Sequence, residues 1–303
     1  MNHDTIRHAE QSLHCIGIYR YGHRVEVIFK LKVVNQDLSK KNKKENSRKK
    51  DSLRHSKLKG MFGSTVKTLS SKMASELDQE LMSGGGFSID QLMELAGLAV
   101  AKAIFKQYPP SGSSNIVLML VGPGNNGGDG LVASRHLKLW GYEPVVYYPK
   151  KSTKNELYRR LVTQLEDLEV PEVELYKVTS LLEKPNAVKL IVDSLFGFSF
   201  KPPIRAPFDE LIKYISANSD KIAPVVSVDI PSGWDVDQGP VDIDIKPSML
   251  VSLTAPKPCV SHFVGEAKTH YLGGRFISPR VAKKYGLEST VGLYKGDDLV
   301  VKL

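Results

Sequence analysis

Cysteine is nearly absent from this chain. Only Cys15 and Cys259 occur among its 303 residues, which is too few for a disulfide framework or a four-cysteine zinc site. No apolar run approaches the roughly 18 to 20 residues that are needed to cross a bilayer. We therefore expect no membrane span, and a reducing compartment suits the chain better than an oxidising one.

Net charge is absent from most of the chain. Residues 1–60 contain 15 Lys or Arg and 6 Asp or Glu, so they carry the whole formal charge of +9, and residues 61–303 are balanced. Residues 24–34 alternate in period two and predict an isolated strand. Residues 39–60 are basic with little apolar content, so we expect disorder. Three roles stay open for them: a solvated linker, a nuclear-localisation signal, or a contact to RNA or lipid.

The charge distribution divides the chain into a basic arm at 1–60 and one domain at 61–303. A nucleic-acid partner is expected only through the arm. The N-terminus lacks the long apolar core of a secretory signal, and Asp4, Glu10 and Glu26 fit a mitochondrial presequence poorly. We expect a cytoplasmic or mitochondrial protein that is not secreted.

From residue 70 onward, short buried strands alternate with amphipathic helices. Continuous apolar runs predict strands that are buried on both faces, and helical spacing separates them. The predicted strands are 116–122, 143–149, 188–197, 223–233 and 249–255, and the predicted helices are 72–82, 88–107, 131–141, 153–168 and 206–217. This alternation predicts an α/β fold with a parallel sheet between two layers of helices.

The segment GPGNNGGDG at 122–130 is the first candidate for ligand binding. It satisfies the spacing GxGxxG between a strand and a helix, which alone is a weak signal. Glycines allow the backbone to approach a ligand closely, and N–H groups at a helix start favour phosphate. The next strand ends in Lys150 and Lys151 rather than in the acid of an NAD dehydrogenase. An NADP-dependent oxidoreductase stays open, since lysines suit a 2′-phosphate.

Two acidic residues end buried strands. Asp193 lies in VDSLFGFSFKPP and Asp229 in VSVDIPSG, and the carboxyl ends of parallel strands meet at one edge of a sheet. Two buried carboxylates repel each other unless a proton or a cation lies between them. The nearby oxygens of Asn126 and Ser232 suit a hard cation rather than zinc.

The remaining chemically active side chains are interpreted as structural. His136, His262 and His270 are isolated in the sequence, and Cys259 has no base beside it. The chain contains neither a nucleophile elbow nor a GKS or GKT phosphate loop. Serine hydrolases and P-loop phosphotransferases are therefore disfavoured.

Four segments resemble, in order, the YjeF N-terminal domain family. They are LDQELMS with GFSIDQLMELAGLAVA, GPGNNGGDGLVASRHL, IVDSLFGFSF, and VVSVDIPSGWDVDQG with SLTAPK after it. The resemblance covers roughly 70–285 and does not cover 1–60. It implies a Rossmann-like three-layer α/β/α sandwich with a mostly parallel central sheet, and a homodimer.

The resemblance also implies an activity. Members of the family interconvert the R and S forms of hydrated NADH and NADPH (NADHX and NADPHX). A separate S-specific dehydratase then completes the repair of these damaged nicotinamide nucleotides. The name of the animal members suggests apolipoprotein A-I as a further partner. Related domains in RNA-decapping scaffolds leave a non-catalytic nucleotide-binding and dimerisation module as the alternative. The presence of Asn126, Asp193, Asp229 and Ser232 favours the enzyme.

Carried over by motif, the resemblance assigns the site residues. One potassium ion per subunit is expected at Asn126, Asp193 and Ser232. Asp229 is the candidate acid/base, because burial at a strand end raises the pKa of a carboxyl, and Lys201 is a candidate proton donor or phosphate contact. The residues expected to contact the hydrate are Asn125, Asn126, Gly127, Gly128, Asp129, Gly197, Phe198, Ser199, Phe200, Lys201, Pro202, Pro203 and Asp229.

Overall fold

The structure, a computed structural model, describes residues 66–112, 114–152, 155–241 and 243–303. The strand predicted at 24–34 and the basic arm lie outside the described residues. All of these described residues belong to one compact unit. Within the described ranges, no helix is both long enough and apolar enough to cross a membrane.

Helices and strands alternate along most of the described chain. The helices are α1 (Ser71–Met82), α2 (Ile89–Gln107), α3 (Asn125–Leu139), α4 (Glu156–Asp167), α5 (Leu175–Leu182), α6 (Asp209–Ala217), α7 (Pro279–Tyr285) and α8 (Glu288–Val291). The strands are β1 (Ile116–Val121), β2 (Glu143–Tyr147), β3 (Leu190–Ser194), β4 (Val225–Val228), β5 (Trp234–Asp235), β6 (Gly239–Pro240), β7 (Met249–Leu253), β8 (Thr269–Gly273) and β9 (Val300–Lys302).

Seven strands form one sheet in the order β2-β1-β3-β4-β7-β8-β9, and β5 pairs with β6 separately. Neighbouring strands of the large sheet are parallel except β8 and β9. The chain runs from β1 to β2 on one side and then places β3 on the other side of β1. The strand order therefore reverses between β1 and β3, and open α/β sheets bind ligands at such a point.

The sheet lies between two helical layers. On β1, Val117 and Met119 pack with α2, α3 and α4, whereas Leu118 and Leu120 pack with α5 and α6. This alternation follows from the period of two along a strand, and both faces must be apolar because both are covered. The predicted three-layer α/β/α sandwich is confirmed.

The helix predicted at 88–107 is confirmed almost to the residue. Ser88 caps α2, since its Oγ accepts a hydrogen bond from the Gln91 amide at 3.1 Å and its own amide donates to Gln91 Oε1 at 2.9 Å. This reciprocal pair is a capping box. Strands β8 and β9 were not predicted, because the sequence THYLG of β8 has no continuous apolar run and β9 has only three residues.

The prediction that α3 starts at residue 131 was wrong. The glycine-rich segment forms the first turns of α3, which begins at Asn125. A Cβ on Gly127 would lie 1.9 Å from the Gly122 carbonyl oxygen, and a Cβ on Gly130 would lie 2.0 Å from Ser194 Oγ. Glycine is a poor helix former, but here it lets α3 approach the ends of β1 and β3 more closely than any other residue could.

Candidate active site

A cavity of about 640 Å³ opens at the carboxyl ends of the central strands. Its floor is formed by the start of α3 and by the segments that follow β3, β4 and β7, and α1 and the start of α2 form another wall. The volume is in the range of small-molecule sites. The cavity lies at the strand-order reversal, where the sequence predicted ligand binding.

The N-terminus of α3 faces this cavity. Gly124 is the N-cap residue and makes no side-chain capping bond, and Gly124, Asn125 and Asn126 line the wall. The first amides of a helix lack intrahelical partners and carry partial positive charge. This end of α3 is therefore suited to an anionic group such as a diphosphate.

Two asparagines at the start of α3 are held in different ways. Tyr158 on α4 donates a hydrogen bond of 2.6 Å to Asn125 Oδ1, and burial raises the pKa of Tyr158 to about 12, so it remains a neutral donor. Asn126 Nδ2 donates to the Phe196 carbonyl at 2.9 Å. The Oδ1 atom of Asn126 is buried and has no hydrogen-bond partner among the described residues.

Asp193 lies beneath the cavity and is fully buried. Ser232 Oγ donates to its Oδ1 at 2.5 Å, and the Ser232 amide and Ser227 Oγ donate to its Oδ2 at 2.9 and 2.8 Å. Burial raises the pKa of Asp193, and these hydrogen bonds act in the opposite direction. The carboxyl thus anchors the turn after β4 against β3.

Asp229 follows β4 and faces the cavity in a strained conformation. Its φ is 64°, a left-handed value that is uncommon for a residue with a Cβ. The Lys257 ammonium forms a buried ion pair with its Oδ1, and the Phe198 amide donates to its Oδ2 at 3.2 Å. Lys257 also donates to the Leu253 carbonyl at 2.9 Å. These contacts fix both the carboxylate and the aromatic segment after β3.

The sequence argument expected a cation or proton between Asp193 and Asp229, and the structure gives each carboxylate partners among the described residues. Asp229 is neutralised by Lys257, and Asp193 is satisfied by serine and backbone donors. Each carboxylate therefore has its own partners. Repulsion between the two does not by itself require a shared cation.

Two further carboxyl groups line the same cavity. Burial, followed by the charges of Asp229 and Asp78, raises the pKa of Asp129 well above its usual range. Burial raises the pKa of Asp78 to about 6, although Lys257 lowers it. Both groups lack a hydrogen bond or ion pair to another described residue. The cavity thus places three carboxyl groups around one ammonium, and such perturbed groups are typical of sites of proton transfer.

The structure brings together most of the predicted contact residues. Those in the cavity wall are Asn125, Asn126, Asp129, Gly197, Phe198, Ser199, Phe200 and Asp229. The wall does not include Gly127 and Gly128, which pack inside the fold, or Lys201, Pro202 and Pro203. Lys201 is exposed.

Sequence reasoning missed Asp78 and Lys257. Lys257 is only 2% exposed, and the signal available was one lysine within the otherwise uncharged string SLTAPKP. Asp78 occupies a position in the buried stripe of α1 that contains Ala74, Leu77 and Leu81. A charged residue at such a position is unusual, and it could have been identified from the helical period.

The sequence predicts structural roles for the other candidate nucleophiles and bases. Cys259 is buried and unpaired, and burial raises the pKa of its thiol to about 12. His136 is not isolated, since its Nε2 lies 2.8 Å from Glu94 Oε1. The Nε2 atom of His270 lies 2.8 Å from Ser252 Oγ. Neither these three side chains nor that of His262 lines the cavity.

Curated relatives match most of the chain. A Candida albicans protein named NAD(P)H-hydrate epimerase is 62% identical over 251 residues, which covers 78% of this chain and 97% of the relative. Proteins of the same name from Saccharomyces cerevisiae and Schizosaccharomyces pombe are 49% and 50% identical, and each match covers 79% of this chain. The alignments cover 100% and 96% of those relatives.

A solved structure and a family profile agree with these relatives. The crystal structure of the yeast protein YNL200c is 48% identical and superimposes with a TM-score of 0.73, covering 78% of this chain and 100% of that one. The profile described as YjeF-related protein N-terminus matches residues 89–259, which is more than half of the chain. The chain therefore belongs to the YjeF N-terminal domain family.

Proposed function

We propose that the cavity binds a hydrated nicotinamide nucleotide and inverts the carbon that carries the hydroxyl group. The chain is an isomerase of the NAD(P)H-hydrate epimerase type. The observation that carries this conclusion is one cavity in which an uncapped helix N-terminus lies beside carboxyl groups of raised pKa. The relatives at 47–62% identity carry the name of this enzyme. The comparisons do not support the non-catalytic alternative.

The reaction requires a carbon–oxygen bond to break and to form again from the other side. The hydroxylated carbon, C6 of the nicotinamide ring, is bonded to the ring nitrogen, whose lone pair can expel the hydroxyl group once the oxygen is protonated. A proton must therefore be delivered to the departing oxygen, and another must be removed from the oxygen that adds. Both steps are general acid–base catalysis, and neither changes an oxidation state.

Binding and proton transfer involve different parts of the cavity. The amides at the start of α3 bind the diphosphate, and the segment from Gly197 to Phe200 forms the wall beside the nicotinamide ring. Asp229, which is paired with Lys257, accepts a proton from the water that adds to C6. Lys201 is exposed beyond this wall, so its proposed role is a contact to a phosphate group.

A potassium ion at Asn126, Asp193 and Ser232 is part of the proposal. The residues fit such an ion, because Asn126 Oδ1 is a buried oxygen that finds no partner in the described part of the chain, and carboxylate, amide and hydroxyl oxygens suit hard cations. The Phe196 amide donates a hydrogen bond to Ser232 Oγ at 3.2 Å, and the Phe196 carbonyl accepts one from Asn126 Nδ2. The side chains of Asn126 and Ser232 therefore lie around the same backbone segment. When bound, the ion adds positive charge beside the anionic substrate.

The assembly and partners are proposed from the family resemblance alone. We propose that two chains associate and that a separate S-specific dehydratase consumes the product. A contact to apolipoprotein A-I rests on the name of animal members, and a cytoplasmic or mitochondrial location stays a prediction. A role for residues 1–60 with RNA lies outside the described residues.

A coupled assay tests the function. A mixture of R- and S-NADHX is treated with an S-specific dehydratase until consumption stops near half of the pool, and this protein is then added. We expect the remaining R form to be consumed rapidly. The Asp229→Asn variant, which cannot accept a proton at this position, should leave the R form unconsumed. Wild-type protein that leaves the R form untouched would refute the proposal.

A further inference from the structure

Asp78 occupies an unusual place in α1. Ala74, Leu77 and Leu81 form the buried stripe of this helix, and Asp78 follows Ala74 by four residues and precedes Leu81 by three. Helical neighbours at these spacings share one face. The sequence thus places a carboxyl group where packing alone calls for an apolar side chain, and that face lines the cavity.

The surroundings of Asp78 do not explain its presence as a structural residue. Among the described residues it makes no hydrogen bond and no ion pair. The charged groups that face it are Lys257 after β7, Asp229 after β4 and Asp129 on α3. Two of these three have the same sign of charge as Asp78. A partly buried carboxylate in such a setting destabilises the fold, so a functional reason is needed.

Asp129 provides a second, independent observation at the same place. Its side chain lines the cavity, is only 8% exposed and has no hydrogen-bond partner among the described residues. A mostly buried carboxyl group that lines the cavity and has no protein partner is available to the polar atoms of a bound molecule. The cavity is therefore built to receive polar atoms of a bound molecule between α1 and the strand ends.

We propose that Asp78 is a second catalytic residue, which exchanges a proton with the C6 oxygen on the side of the ring opposite to Asp229. This inference rests on the proposed function. Inversion requires one oxygen to leave from one face and another to add to the other face, so a single carboxyl group cannot serve both. Asp78 belongs to α1 and Asp229 to the sheet edge, so the two approach from different walls.

The proposed steps balance in atoms and electrons. Protonated Asp78 gives its proton to the C6 hydroxyl oxygen, the C6–O bond breaks, water leaves, and the nitrogen lone pair forms a C6–N double bond. A water molecule then adds to the opposite face of C6, its electron pair forms the new C–O bond, and its proton passes to Asp229. In the reverse direction the two carboxyl groups exchange roles. The pKa of about 6 leaves Asp78 available both as acid and as base.

The test compares Asp78→Asn with Glu76→Gln, a control on the solvent-facing side of α1. We expect Asp78→Asn to lower kcat at least 100-fold while circular dichroism and Tm stay at or above wild-type values, and Glu76→Gln to stay within twofold. In the direction that uses Asp78 as the acid, the wild-type kcat/KM should fall above an apparent pKa near 6, and the residual rate of Asp78→Asn should lack this limb. A merely structural residue would not produce this combination.

A second variant tests the inference if Asp78→Asn fails to fold. Asp78→Ala leaves space in the cavity, and added formate should restore its rate in a saturable way, whereas formate should not affect Glu76→Gln. Epimerisation by folded Asp78→Asn within threefold of wild type, an unchanged alkaline limb, or Asp78→Ala without formate rescue would overturn the role of Asp78. Inactive wild-type protein would instead overturn the proposed function, so the two failures are distinguishable.

Discussion

The ion pair between Lys257 and Asp229 provides the sharpest prediction on stability. Lys257→Met keeps a similar volume but removes the ammonium, and it leaves Asp229, which is 4% exposed, with backbone donors at 3.2 and 3.4 Å. Removing one partner of a buried pair costs about 3–5 kcal/mol. For a domain of this size, 1 kcal/mol lowers Tm by about 2–4 °C. We expect Tm to fall by about 6–20 °C at pH 7.

The pH dependence of this variant has a defined sign. Lys257 lowers the pKa values of Asp78 and Asp129, so its loss raises both further. A carboxyl group with a raised pKa in the folded state binds more protons folded than unfolded, so stability rises as the pH falls. The loss of stability caused by Lys257→Met should therefore be smaller at pH 5 than at pH 7.

Urea unfolding, followed by circular dichroism at both pH values, measures these effects. The control is Lys213→Met, because Lys213 pairs with Asp209 at 3.1 Å on the surface, where a pair contributes at most about 1 kcal/mol. The double variant Lys257→Met/Asp229→Asn should recover part of the loss. If Lys257→Met costs no more than Lys213→Met, the electrostatic account of the cavity is wrong.

Two further predictions concern the start of α3. Gly127→Ala should lower the free energy of unfolding by at least about 3 kcal/mol, because the new Cβ would lie 1.9 Å from the Gly122 carbonyl oxygen. Gly124→Ala, whose Cβ meets open space, should lower it by less than about 1 kcal/mol. Equal losses of the two variants in urea unfolding would contradict this packing. Replacing KCl by tetramethylammonium chloride should lower both Tm and the epimerisation rate, and Ser232→Ala should abolish that difference. Identical Tm values of the wild type in the two salts would refute the cation site.

Much of the fold was predictable because its signals are local. The apolar run of β1 indicates a strand that is covered on both faces, and the structure places it between two helical layers. Ser88 and Gln91 indicate the start of α2 through a capping box within four residues. Such patterns require no knowledge of distant parts of the chain.

The glycine-rich segment shows where local signals mislead. Glycine has a low helix propensity, so residues 125–130 read as a loop. In the structure these residues are helical, because contacts with the ends of β1 and β3 leave no room for a Cβ. Tertiary packing outweighs propensity here, and no window of the sequence contains that packing.

The sequence by itself determined the alternation of helices with strands β1 to β4 and β7, the edge of the sheet where a ligand is expected, and the acidic residues Asp193 and Asp229 at that edge. The tertiary structure decided which groups lie beside these carboxylates and compensate their charges. Lys257 forms an ion pair with Asp229, from which it is separated by 28 positions in the sequence. Helix α1 brings Asp78, which is distant from both in the sequence, to the same cavity. Periodicity reports that a side chain is buried, but electrostatic partners depend on distances that only the folded chain defines.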